Sequence, residues 1–272
     1  MRRENAPEIR AGAQTIDMRE EGSHGALLLH GFGDTPQTLT RLATRLHAGG
    51  YSVYAPLLPG HGRTMAAFTK TSAADWAAAA KAAFTEMRPR HRSVSVVGLS
   101  MGGALAIALT ADVQDVRALA LIAPYVEMPR MLRAAAATHW LWGRFAGEVN
   151  ALNLRSIRDP IEREKNLAYG SVTGSSLYQL LKVVRRARRL LADVKAPTLL
   201  IQSREDPRCT PAGAERAMKL LGAREKKLVW TEGAGHVITV DYGRERVMTE
   251  VKDWLHAPTR GGAAAAADSA AT

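Results

Sequence analysis

The sequence predicts an α/β protein with a mostly parallel central sheet flanked by helices. Two patterns carry that expectation. Short apolar runs alternate with helical stretches along most of the 272 residues, the arrangement of βαβ units. The runs are continuously apolar instead of alternating, as expected of strands covered on both faces. Composition agrees: 46% hydrophobic and 23% charged residues suit a globular chain with a sizeable core and exclude wholesale disorder.

Taken in order, Ala26–His30 is a compact apolar run that ends in the turn-rich GFGDTP. Thr38–His47 then sets Leu39, Leu42, Ala43 and Leu46 at helical spacing, and Gly49–Gly50 stops it. Ser52–Ala55 reads as a strand broken by PLLPGHG, and Ser72–Met87 as an alanine-rich helix. Ser93–Val97 and Ala118–Ala123 are further strands, with a helix over Gly102–Thr110 between them. Thr198–Gln202 and Lys227–Trp230 are late strands, followed by helices over Pro211–Leu221 and Arg244–His256. Residues 125–195 break the rhythm, being helical without a convincing strand, and are expected as an insertion over the sheet's edge. Residues 1–124 and 196–259 then form the core, and 260–272 a frayed tail.

No stretch approaches the ~18 uninterrupted apolar residues of a membrane span. No apolar region follows the basic start MRRENAPEIR, so a secretory signal is not expected. The single cysteine, Cys209, excludes an internal disulfide, and a cytoplasmic protein is expected. Thirty-seven Lys and Arg against 26 Asp and Glu give +11, a balance that admits several kinds of anionic partner.

The sharpest local feature is Gly98-Leu99-Ser100-Met101-Gly102, followed by Gly103. It sits between the apolar run SVSVV and the helical run GALAIAL, the strand–turn–helix setting that lifts a serine Oγ off a sheet. Flanking glycines allow close backbone approach, and the helix N-terminus favours developing negative charge. An incidental serine in a glycine-rich turn is the plain alternative; the setting argues against it.

A serine hydroxyl is a weak nucleophile and needs a base held by an acid. Of eight histidines, His236 lies in the loop GAGH, after KKLVW and before the last helix. His30 and His61 sit in tight glycine loops and read as structural hydrogen-bonders. His24, His47, His91, His139 and His256 lack such loop presentation. The acid is expected between serine and histidine in chain order. Asp206 follows TLLIQ at the C-terminal end of its strand, where Pro207 bars helical continuation. Glu205 is a rival expected to face solvent, while Asp112, Asp115 and Asp193 lie at the sheet's opposite end. Oxyanion donors are expected at the amides of Met101 and of Phe32, in the loop His30-Gly31-Phe32-Gly33.

At these segments the chain is similar to the α/β-hydrolase superfamily, and more narrowly to bacterial carboxylesterase and monoacylglycerol-lipase-like serine hydrolases. The resemblance rests on LLLHGFG (27–33), PLLPGHG (56–62), VVGLSMGG (96–103), APTLLIQSREDP (196–207) and GAGHVITVD (233–241), with the Asp75–Trp76 pair. It spans about residues 25–256. It implies an α/β-hydrolase core with a small helical cap inserted after the sixth core strand. It also implies no metal or organic cofactor, and ester hydrolysis through an acyl-enzyme. The same roles follow from it: Ser100 as nucleophile, Asp206 as acid, His236 as base, Phe32 and Met101 as donors. Segment 125–195 matches no motif of these families, so substrate preference does not carry over.

Within that segment Met128, Met131, Trp140, Trp142 and Phe145 are candidates for lining an acyl pocket, or for packing the cap on the core. The helix Ser175–Ala192 puts Leu177, Leu180, Val184, Ala187 and Leu191 on one stripe and Lys182, Arg185, Arg186 and Arg189 on the other. Residues 125–195 hold thirteen Lys and Arg against six Asp and Glu, +7 of the whole +11. A solvated face is the plain reading, and peripheral contact with anionic lipid the sharper one. Nucleic acid finds no recognition motif here.

The expected activity is that of a serine carboxylesterase on short- to medium-chain esters, including monoacylglycerol-like ones, with a small-molecule ester as substrate. A thioesterase, lactonase or peptidase with the same machinery is the enzymatic alternative, because a fold does not choose its acyl group. A non-catalytic scaffold binding lipid or a partner is the alternative of another class, and the intact trio argues against it.

Overall fold

The computed structural model describes residues 7–20, 24–151 and 156–257. Its main sheet contains β1 (Ile16–Met18), β2 (His24–Leu29), β3 (Tyr51–Ala55), β4 (Val94–Leu99) and β5 (Leu119–Ile122). A separate antiparallel pair follows, β6 (Glu148–Asn150) and β7 (Ser171–Thr173), before β8 (Thr198–Ser203) and β9 (Lys226–Thr231) complete the sheet. The strand order is β1-β3-β2-β4-β5-β8-β9. Every neighbouring pair is parallel except the edge strand β1 against β3. The predicted mostly parallel sheet flanked by helices is therefore what forms.

Side chains alternate across this sheet with the two-residue period of a strand. Along β2, Leu27 and Leu29 enter one apolar cluster and Ala26 and Leu28 the other. On the second face lie α1 (Thr40–His47) and α10 (Arg244–His256), burying Leu42, Leu46, Val247, Val251 and Leu255. On the first face lie α3 (Ala73–Met87) and α4 (Met101–Val113), after the short α2 (Met65–Lys70). Ser72 and Asp75 close a capping box at the start of α3. From there Trp76 donates its indole N–H to Pro59 O at 3.0 Å, fixing the PLLPGHG loop.

Between β5 and β8 the chain leaves the sheet through α5 (Arg130–Ala137), α6 (His139–Ala146), α7 (Pro160–Lys165) and α8 (Gly174–Leu190). Helix α8 lies on α4, and α5 and α6 lie on α8. The predicted stripe Leu177, Leu180, Val184, Ala187 and Leu191 is buried, and Lys182, Arg185, Arg186 and Arg189 are exposed. Residues 101–110 of α4 are buried on all sides for this reason, between sheet and α8. A last connection, α9 (Pro211–Leu220), joins β8 to β9.

Four expectations need correction. The excursion departs after β5, the fifth strand of the sheet and not the sixth, because the described residues place a single strand before β2. It covers α4, where an uncovered apolar helix face is available, more than the sheet's edge. It also contains the pair β6–β7, whose three-residue strands EVN and SVT are too short and polar to show a periodicity. Likewise β1 and α2 are elements too short to stand out in the sequence. The expected tail at 260–272 lies outside the described residues. Among the described residues no helix is long and apolar enough to cross a membrane.

The junction of β4 with α4 depends on two glycines. A Cβ on Gly102 would stand 2.0 Å from Leu29 O, and one on Gly98 2.3 Å from Gly102 O. Neither neighbour is a side chain that can turn away. Gly102→Ala is therefore expected to destabilise by about 3 kcal/mol or more, or to abolish soluble folded protein, through overpacking. Gly143→Ala, whose Cβ would meet its nearest atom at 3.6 Å inside α6, is expected to be neutral or to stabilise by up to about 1 kcal/mol. Urea unfolding of the two variants checks both.

Candidate active site

At that junction Ser100 takes φ 56° and ψ −116°, a conformation that costs a non-glycine residue about 1–3 kcal/mol and persists only where the surroundings enforce it. Here they do. The Ser100 N–H donates to Ile122 O at 3.0 Å, and Ser100 O accepts from Tyr125 at 3.0 Å and Ala104 at 3.2 Å. The strained turn projects Oγ beyond the C-terminal end of β4, where it lies 2.7 Å from His236 Nε2. His236 Nδ1 lies 2.8 Å from Asp206 Oδ2. The three predicted residues thus form one hydrogen-bonded line, though Ser100 and His236 are 136 positions apart.

Asp206 is buried in a nest of donors. Its Oδ1 accepts the N–H groups of Arg208 at 2.7 Å and Cys209 at 2.9 Å, and its Oδ2 accepts Gln202 Nε2 at 2.8 Å. Burial pushes this carboxyl up, but electrostatic attraction to His236 and the His236, Cys209 and Arg208 donors outweigh it and hold it below the ordinary range. A carboxylate so held stays ionised and fixes the imidazole with Nδ1 protonated, leaving Nε2 to accept from serine. Glu205 is exposed, as expected, and accepts from Gly233 N at 3.2 Å.

The loop after β2 lies against the elbow: a Cβ on Gly31 would stand 3.5 Å from Ser100 Cβ. Phe32 is anchored by edge contacts to Phe68 and Trp76, with centroids 5.0 and 5.9 Å away. Met101 opens α4, so its N–H has no intrahelical acceptor. The Met101 N–H thus directly follows Ser100, and the loop that carries Phe32 lies against the elbow. His30 is buried and hydrogen-bonded to Gly31 O at 3.0 Å through Nδ1, while its Nε2 accepts from Leu58 N at 3.1 Å. Burial lowers this imidazole to about 4, so it stays neutral as a bridge between the two loops.

Cys209 is buried with its Sγ near Ala123 O and Pro124 O, and burial raises its thiol well above the ordinary value. Asp206, Cys209 and His236 bring ligand atoms within 4.8 Å of one another; the first and last are already bonded to each other.

The apolar candidates of the inserted segment divide. Met128 is buried and Trp142 half-buried, and both pack on the cluster that Phe32 also touches. Trp140 and Phe145 are 63% and 88% exposed and Met131 is 88% exposed, so these three wall no buried pocket. The helical period turns His139, Trp142 and Gly143 of α6 toward α8 and leaves Trp140, Leu141 and Phe145 outside. Several contacts escaped sequence reading. Gln202 steadies the acid, Ser203 Oγ donates to Ala234 O at 2.7 Å beside the base, and Tyr169 N donates to Gly33 O at 2.9 Å. Only Gln202 and Ser203 had a visible cue, their place at the end of the strand before Asp206.

Comparison with known proteins places this geometry. The family model described as serine aminopeptidase, S33 matches residues 24–242. A thermostable monoacylglycerol lipase of Bacillus sp. (strain H-257) is 29% identical over 84% of this chain and 89% of its own length. A carboxylesterase of Bacillus subtilis (strain 168) is 24% identical over 86% and 93%. Among solved structures, one from the study of the metagenome-derived lipolytic enzymes LipS and LipT superposes with a TM-score of 0.82. It is 29% identical, and the match covers 91% of this chain and 99% of that one.

One buried carboxyl at the site behaves oppositely to Asp206. Asp34 accepts only from Thr35 N at 2.8 Å and Thr38 Oγ1 at 2.9 Å, and burial outweighs both, pushing it up to about 6. The folded state therefore holds this proton more tightly than the unfolded chain, whose value is near 3.8. Its contribution to stability is largest at low pH and falls as pH rises from about 4 to about 6. Relative to wild type, Asp34→Asn is expected to gain stability across that window, by up to about 3 kcal/mol, and to level off above it. Urea unfolding from pH 4 to 8 measures the difference; a constant difference would rule out the burial effect.

Proposed function

The chain belongs to the serine aminopeptidase S33 family, and from that premise we propose that it hydrolyses short- to medium-chain carboxylic esters, monoacylglycerols among them, through Ser100, His236 and Asp206. It is a serine hydrolase of the esterase and lipase type. The observation that carries the assignment is the continuous line from Ser100 Oγ through His236 to Asp206, at 2.7 and 2.8 Å.

In the first half-reaction Ser100 Oγ forms a bond to the ester carbonyl carbon, and its proton passes to His236 Nε2. The carbonyl electron pair moves onto oxygen, where the N–H groups of Phe32 and Met101 receive the charge. Each such donor is worth about 3–4 kcal/mol of barrier. Collapse breaks the bond to the leaving alkoxide, which takes the proton from Nε2 and departs as the alcohol. Water then attacks the acyl-enzyme by the same route, releasing the carboxylic acid and restoring Ser100. Asp206 remains ionised throughout and stabilises the imidazolium.

In this reading residues 1–124 and 196–259 are the hydrolase core, and residues 125–195 are a cap. The hydrogen bond from Tyr169 N to Gly33 O, next to Phe32, supports a cap seated beside the oxyanion loop. Met128 and Trp142 remain its acyl-side candidates. Ester preference is supported by the lipase and carboxylesterase relatives.

The outer face of α5 and α6 adds a peripheral contact with anionic lipid. Met131, Trp140, Leu141 and Phe145 are exposed there, beside the exposed Arg130 and Arg133. Aromatic and aliphatic side chains interleaved with cations suit an anionic lipid surface. On α8, by contrast, Arg186 is paired with Asp112 at 2.6 Å and Arg188 with Glu127 at 3.0 Å.

Ser100→Ala is expected to keep the fold and lower kcat/KM for p-nitrophenyl butyrate by about 10^4-fold or more. It should also abolish labelling by a fluorophosphonate probe. A folded variant with wild-type rate would sink the serine mechanism, and a substrate panel in which aminoacyl p-nitroanilides outrun monoacylglycerols would replace the ester reading with a peptidase. For lipid contact, the double change Trp140→Ser and Phe145→Ser is expected to cut co-sedimentation with phosphatidylglycerol vesicles several-fold. Reversal of Arg185, Arg186 and Arg189 to Glu should cut it less, and undiminished binding by the double variant would remove the α5–α6 surface.

A further inference from the structure

Asp241 lies five residues after His236 and is fully buried. Its Oδ1 accepts the N–H groups of Asp159 at 2.9 Å and Tyr242 at 2.8 Å. Its Oδ2 accepts those of Arg158 at 2.8 Å and Gly235 at 2.7 Å. One carboxylate therefore gathers the residue beside His236, the stretch of the inserted segment just before α7, and the approach to α10. The same stretch also grips the histidine loop directly, because Ser156 O accepts from both His236 N at 2.8 Å and Val237 N at 2.9 Å. It reaches the acid loop through Arg208, which donates from Nε to Ser156 Oγ at 2.8 Å and from Nη2 to Ala151 O at 3.0 Å.

From this geometry we infer that Asp241 is a positioning residue for the base, coupling the seating of the segment before α7 to the placement of the His236 imidazole. The inference rests on the reading in which His236 serves Ser100. Its chemistry requires a carboxylate. Four backbone N–H groups converge on one buried point, and an unpaired buried N–H is costly. An ionised carboxyl has lone pairs for all four; an amide has one accepting oxygen, and its NH2 would face two donors head on. Gly235 is the link that matters for catalysis. Releasing its N–H frees the peptide unit immediately before His236, whose 2.7 Å and 2.8 Å contacts leave little tolerance for displacement. A misplacement of about 1 Å at a reacting group is worth about 100-fold in rate. Asp241 touches neither Ser100 nor the oxyanion loop, so the loss belongs in kcat and not in substrate binding.

The test compares wild type, Asp241→Asn, Ser100→Ala and Leu46→Ala, the last a destabilised core control on α1. With p-nitrophenyl butyrate, Asp241→Asn is expected to lose about 100-fold in kcat with KM within about threefold of wild type. The low-field proton resonance of the His236–Asp206 hydrogen bond should move or vanish. Leu46→Ala should lose stability but keep kcat. Wild-type kcat and an unmoved resonance in folded Asp241→Asn would overturn the inference while leaving an inactive Ser100→Ala, and so the serine mechanism, standing. An active Ser100→Ala would sink both. If Asp241→Asn does not fold, amide exchange in the wild-type protein decides. Slow exchange shared by Gly235, Arg158, Asp159 and Tyr242 supports the clamp, and exchange of Gly235 at the rate of a free peptide overturns it.

Discussion

The approach of the α4 N-terminus to the end of β2 is the constraint on which the rest of the site depends. Gly102 sits so close to Leu29 O that a methyl group has no room, and this contact fixes where α4 begins. With the helix start fixed, the one residue between β4 and α4 has to turn through a positive φ, and that residue is Ser100. The same contact leaves the Met101 N–H unpaired at the first helical position and sets the β2 loop, with Phe32, against the serine. The proposed nucleophile and its proposed oxyanion donors thus share one close packing of backbone on backbone. Side-chain chemistry enters only afterwards, from the ends of β8 and β9.

Two buried carboxyls around this site show how surroundings govern charge. Asp206 faces the His236 ring N–H and a set of further N–H donors, and it stays ionised despite burial. Asp34 has two donors and burial prevails. Asp241 collects four backbone N–H groups and joins segments otherwise far apart in the chain. For Asp206 and Asp34 burial disfavours the charge, and the groups facing each carboxyl decide the outcome.

What was legible in the sequence was whatever is local. Glycine punctuation after an apolar run marks the elbow, and a loop after a strand end marks the positions of Asp206 and His236, because parallel strands deliver their loops to one end of the sheet. Contacts made by backbone groups were not legible. The partners of Asp241 at Arg158 and Asp159 are amides, which any residue but proline supplies, and they lie more than eighty positions away. Composition carries no trace of such a bond. The same limit explains the divided fate of Trp140 and Trp142. Both read as apolar residues of one helix, and only the arrival of α8 decides which of them turns inward.

The excess of positive charge has a related explanation. Arg186 and Arg188 pair with Asp112 and Glu127 across the surface, and Arg216 reaches Glu127 as well. Exposed pairs of this kind contribute about 0–1 kcal/mol each, far less than the buried stripe that holds α8 to α4. The ion pairs of Arg186 and Arg188 are therefore minor terms in holding the segment to the core. At physiological ionic strength the field of an exposed cation reaches about 8 Å, the range over which the proposed contact of α5 and α6 with anionic lipid would act. Fold and surface thus make separate demands on the same segment: apolar residues facing α4 hold it in place, and basic residues of α8 face outward.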